Sequence, residues 1–98
     1  MALKISKDGD TVTIMFPEIF GFSLRREFKE ATSSHRPGIR YQLDLRTVTK
    51  IDSSALGMLL LFREGAGGES ADISFIGVRP EVRRLLQLAN FQNLFKFS

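Results

Sequence analysis

The chain has 98 residues, no cysteine, one histidine and a formal net charge of +3. A chain this short forms one domain, residues 1–98, and buries only about two thirds of the surface it exposes when unfolded, which excludes a deep active-site cavity beside a separate core. Without cysteine there is no disulfide, thiolate nucleophile or thiolate metal site, and any Ser/His/Asp arrangement would rest on His35 alone.

The elements follow in chain order. "LKISKDGDTVTIMF" alternates Leu3 and Ile5, then Val12, Ile14 and Phe16, about a "KDGD" turn in which Gly9 supplies positive φ, so it predicts an antiparallel hairpin. Pro17 ends the second strand. "FSLRREFKEAT" carries Leu24, Phe28 and Ala31 at helical spacing, and "SSHRPG" breaks that helix. "RYQLDLRTV" is a third strand on Tyr41, Leu43 and Leu45, leading into "TKIDSS". A helix is expected from Ser53 or Ser54 to about Glu64, stopped by "GAGG". "ADISFIGV" is a fourth strand with Ile73, Phe75 and Val78 on one side, expected to be buried on both faces. Pro80 opens a last helix on Val82, Leu85, Leu86 and Leu88, Asn90 ends it in the left-handed conformation, and "LFKF" forms a short final strand or tail. The order β-β-α-β-α-β-α-β predicts an α/β domain. Its sheet has four to five strands, is mostly parallel with an antiparallel first strand, and carries helices mainly on one face.

Charge argues against a nucleic-acid partner. The pairs Arg25-Arg26 and Arg83-Arg84 sit on predicted helices beside acidic or apolar neighbours, which reads as solvated helix surface. No apolar run approaches the ~20 residues of a membrane span and no signal peptide is evident, so a cytoplasmic protein without direct membrane insertion is expected.

The stretch "KIDSSALGMLLLF" concentrates the candidate chemistry. A serine between strand and helix is ordinarily a cap, and Ser54 is read that way or as a solvated loop residue. A phosphoryl group on Ser53 would lie at the positive end of the helix dipole beside Asp52, inverting the local potential without refolding the backbone. Nucleophilic catalysis at Ser53 would need a base and an oxyanion hole; with His35 the only imidazole and Asp52 a weak base, no catalytic role and no enzyme activity is expected. On a helical wheel Leu56, Leu59 and Leu60 share a face, expected to pack on the sheet, while Met58 and Leu61 point the other way with Phe62 at the flank. An apolar face left open marks a partner surface.

"LDLRTVTKIDSSALGMLLL", supported by the opening hairpin and by "FIGVRPEVRRLLQLANFQNLF", resembles the STAS domain, in particular the bacterial anti-sigma-factor antagonists. The resemblance covers nearly the whole chain. It implies a signalling protein of transcription regulation that switches partners. The unphosphorylated form binds and sequesters an anti-sigma factor, a serine kinase with a histidine-kinase-like ATPase fold, and phosphorylation releases it. A metal-dependent serine phosphatase restores binding. The hydroxyl directly after the motif's Asp falls on Ser53, flanked by Asp52 and Ser54; Ala55, Gly57, Met58 and Leu61 are the expected partner contacts. ATP and metal belong to the partners, and this chain needs no cofactor or metal of its own. Ala55 stands where the family commonly has glycine, the central helix is expected to be about a turn short, and the family's last helix is expected to be absent or reduced, which leaves room for a homodimer.

A second STAS role is the small subunit of a lipid-transporting ABC complex, bound to its ATPase; the intact "DSS" favours the switch. A nucleotide-binding enzyme is disfavoured because "GAGG" follows a helix and precedes a strand, the reverse of a phosphate-cradling loop.

Overall fold

A computed structural model describes residues 2–98. The chain opens with β1 (Lys4–Asp8) and β2 (Thr11–Met15), continues through a two-residue β3 (Ile19–Phe20), α1 (Arg25–Ala31), β4 (Arg40–Asp44) and a two-residue β5 (Lys50–Ile51), then α2 (Ser53–Gly65), β6 (Asp72–Ile76), α3 (Pro80–Leu88) and β7 (Lys96–Phe97). The main sheet has the order β1-β2-β4-β6-β7, antiparallel between β1 and β2 and parallel elsewhere. Its α/β class, mixed sheet and three helices agree with the pattern read from the sequence. Gly9 (φ 62°) turns the hairpin, Pro80 stands at the first turn of α3, and Asn90 (φ 63°) is left-handed after it. "LFKF" closes on a strand, since β7 pairs with β6.

Register sorts the sheet into two unlike faces. Val12, Tyr41 and Ile73 lie side by side, as do Ile14, Leu43, Phe75 and Phe97; apart from half-buried Phe97 these residues are buried on the helix side. The opposite face carries Thr11, Arg40 and Asp72, then Thr13, Gln42, Ser74 and Lys96. It is polar and stitched by Thr13 to Gln42 and by Arg40 and Lys96 to Asp72. Helices therefore cover one face, and a sheet with one solvated face alternates apolar and polar residues. This corrects the expectation for the fourth strand: β6 is buried at Ile73 and Phe75 only, with Asp72, Ser74 and Ile76 half-buried, and Val78 lies beyond the strand after Gly77 turns (φ 66°). Ile5 is likewise 42% exposed, because β1 is an edge strand.

An aromatic chain joins the layers. Phe28 of α1 meets Phe62 of α2 at 5.2 Å between ring centroids, Phe62 meets Tyr41 of β4 at 4.8 Å, and Phe16 meets Phe20 at 4.5 Å. Edge-to-face and offset pairs of this kind add about 0.5–1.5 kcal/mol each beyond area burial, so they lock α1 and α2 in place on β4.

Candidate functional site

The site is built where three segments meet at the start of α2. β3 and β5 pair in parallel, Ile19 with Lys50 and Phe20 with Ile51, and bring the chain after β2 alongside the chain entering α2. Asp52 follows with extended backbone (φ −107°, ψ 176°) and is the N-cap. Its carboxylate accepts hydrogen bonds from the Ala55 N–H at 2.9 Å and the Phe22 N–H at 3.3 Å. One side chain thus satisfies a free donor of α2 and pins the turn ahead of α1. Gly21 makes room for it: a Cβ there would stand 2.6 Å from Asp52 Oδ2.

The cap is therefore Asp52, not Ser54. Both serines lie inside the helix, Ser53 as its first residue and Ser54 as its second, with Ser53 exposed and Ser54 half-buried. Their N–H groups belong to the first turn, whose donors have no partner within the helix and lie at the positive end of its dipole. The cap carboxylate lies within a residue of the Ser53 hydroxyl.

Burial of α2 differs from the wheel reading. Ala55, Met58, Leu59 and Phe62 face inward, while Leu60 is 40% and Leu61 75% exposed and Leu56 is half-buried. The inward set has the spacing i, i+3, i+4, i+7 and continues to buried Ala66, a signal visible in the sequence but masked by leucines on every side. Of the expected partner contacts, Gly57 and Leu61 lie outside. Ala55 (0% exposed) is core, and Met58 (8%) forms part of a groove floor rather than an open surface. Ser53, Gly57, Leu60, Leu61 and Glu64 fall within roughly 100° of one another on the helix and form its outward strip. Leu60, Phe22 (62% exposed) and Ile19 (56%) are surface residues near this site that sequence reasoning missed. Phe22 is held there by its own N–H on Asp52 and by the Arg25 guanidinium, 5.2 Å over its ring.

Two grooves flank the strip. One, of about 440 Å³, adjoins Asp52 and runs between Ile19, Ile51 and Lys50 on one side and Glu81, Val82 and Leu85 of α3 on the other. The second, of about 600 Å³, lies between α1 and α2. His35 lines it beside Gly65 and Ala66, at the opposite end of α2 from Ser53, with Nδ1 2.9 Å from the Tyr41 hydroxyl. Burial pushes that phenol above its ordinary range, against a smaller downward pull from Arg36. The single imidazole is not beside Ser53. Among the described residues no group of three or more acidic or histidine side chains could hold a metal, and no helix is long and apolar enough to cross a membrane.

Comparison with known proteins agrees with this architecture. The family model described as "Mlab, STAS domain" matches residues 4–96. A STAS-domain containing protein of Pseudomonas aeruginosa (strain UCBPP-PA14) is 48% identical over 96 residues, covering 95% of this chain and 93% of that protein. Among solved structures, an anti-sigma-factor antagonist (STAS) domain protein from Planctomyces limnophilus superposes with a TM-score of 0.82 at 16% identity, over 97% of this chain and 87% of that one. A sulfate transporter family protein from Wolinella succinogenes superposes with a TM-score of 0.76 at 16% identity, over 94% and 80%. At those identities the two structures speak for the fold, while the family model and the Pseudomonas relative speak for descent: the chain belongs to the STAS domain family.

Proposed function

We propose that this protein is a phosphorylation-controlled partner-switching regulator of the anti-sigma-factor-antagonist kind, a binding protein and not an enzyme. Its unphosphorylated form sequesters a serine kinase that doubles as an anti-sigma factor. The kinase transfers the γ-phosphoryl of ATP to Ser53 Oγ, forming the new P–O bond, releasing ADP and passing the hydroxyl proton to the kinase's own base. The modified protein lets go, and a metal-dependent serine phosphatase hydrolyses the ester and resets the cycle.

The observation that carries this reading is the position of Ser53: exposed, first in α2, and in line with Gly57, Leu60 and Leu61 on one outward strip. A partner resting on Leu60 and Leu61 covers Ser53 about 12 Å away, eight residues along the same helix. A phosphoryl group there adds about 1.5 to 2 negative charges beside Asp52, so the partner surface changes sign while α2 keeps its cap. The test uses wild-type and Ser53→Asp baits on a native lysate, followed by calorimetry with the captured kinase. Capture by wild type, a loss of about tenfold or more in affinity for Ser53→Asp, and retained affinity for Ser53→Ala are expected. Equal affinity for all three would overturn the switch.

A second reading, a STAS subunit docked on the ATPase of a lipid-transporting ABC complex, rests on membership of the STAS family, which the family model described as "Mlab, STAS domain" shows over residues 4–96. It predicts recovery of a membrane ABC ATPase by both baits, with Ser53 a passive helix residue.

A further inference from the structure

The groove between α1 and α2 combines three features and shares only Leu61 with the partner switch. Its floor is apolar, made by Phe28, Met58 and Phe62, and exposed Leu61 forms one wall. Its charged lining is all of one sign: Arg25 and Lys29, one turn apart on α1, with no carboxylate among the lining residues. Neither cation makes an ion pair among the described residues. Gly65 adds to the space by presenting no side chain; a Cβ there would meet nothing within 4 Å. A volume of about 600 Å³ is that of an ordinary small-molecule pocket.

We propose that this groove binds a single-chain anionic amphiphile, a long-chain carboxylate whose aliphatic tail lies on Phe28, Met58 and Phe62 and whose head group pairs with Arg25 and Lys29. An apolar slot with convergent cations at its rim fits a ligand that is apolar along its length and anionic at one end. A second copy of this chain fits it less well, since each copy carries a net charge of +3. Leu61 belongs both to the groove wall and to the outward strip of α2, so tail and partner meet at one residue.

The test is titration of the full chain with dodecanoate below its micelle concentration, by calorimetry and by amide shifts in NMR, with dodecanol and anionic phosphatidylglycerol vesicles as parallel ligands. Expected are one-to-one binding with shifts confined to α1 and α2, binding of dodecanol weaker by about tenfold, a similar loss for Arg25→Glu/Lys29→Glu, and abolition by Gly65→Phe, which fills the slot. A melting curve for Gly65→Phe at or above wild type shows that the block is steric, since glycine is the weaker helix former. No saturable dodecanoate binding, equal affinity for alcohol and carboxylate, or binding indifferent to Gly65→Phe would each overturn the proposal. So would association with vesicles alone, or a self-association that Gly65→Phe removes.

Discussion

The first turns of α2 and α3 lie against the same face of one sheet and solve the same problem differently. Each must deal with N–H groups that have no partner inside the helix. In α3 the device is subtraction: Pro80 has no N–H, Arg79 gives no side-chain cap, and its guanidinium donates instead to the Arg46 carbonyl at 2.9 Å. In α2 the device is a carboxylate, and Asp52 holds the helix start and the Phe22 turn at once. A proline closes a helix end chemically. An aspartate cap instead ties in a second segment, and the next hydroxyl, that of Ser53, stands exposed at the surface.

The comparison can be broken from either side. The largest effect is expected across α2 itself: Leu59→Ala, fully buried, should lower unfolding free energy in urea by about 2–5 kcal/mol, whereas exposed Leu61→Ala should stay within about 0.5 kcal/mol and show its effect in partner binding. Next come the two helix starts. Asp52→Ala should cost about 0.5–2 kcal/mol by thermal or urea unfolding, and Arg79→Ala no more than about 0.5 kcal/mol; equal costs would erase the distinction drawn between them.

Gly21→Ala should act through the same carboxylate, since the new methyl would displace Asp52 Oδ2. Its cost should therefore largely vanish in an Asp52→Ala background, a double-mutant cycle that additive effects would contradict. The smallest effect lies on the polar face, away from both helices. Hydrogen bonding from Lys96, with help from Arg40, holds the Asp72 carboxyl below its ordinary range. A depressed carboxyl stabilises the fold fully above its unfolded pKa of about 3.9, and that contribution disappears as pH falls through the lower folded value. A shallow acid-side loss of stability, absent in Asp72→Asn, is the expected titration; both helix starts should be untouched by it.

Much of this was fixed by local chemistry. Glycine at the hairpin, Pro80 at the start of α3, Asn90 after it, the bounds of α2 to within a residue, and the alternation in β2 and β4 all follow from backbone sterics and period, which neighbours in sequence decide; β6, read as buried on both faces, showed its polar side only in the sheet. The motif around Ser53 was equally readable and carries the family. Three things needed the assembled molecule. The β3–β5 pair consists of two residues from each of two segments some thirty positions apart, too short to leave a periodic trace. Asp52, and not Ser54, is the cap, and its second bond, from the Phe22 N–H, comes from a segment some thirty positions away that local sequence does not reveal. The inward face of α2 became distinct only with Phe28 and Tyr41 packed on Phe62, because leucines on every side mask the i, i+3, i+4, i+7 set in the sequence.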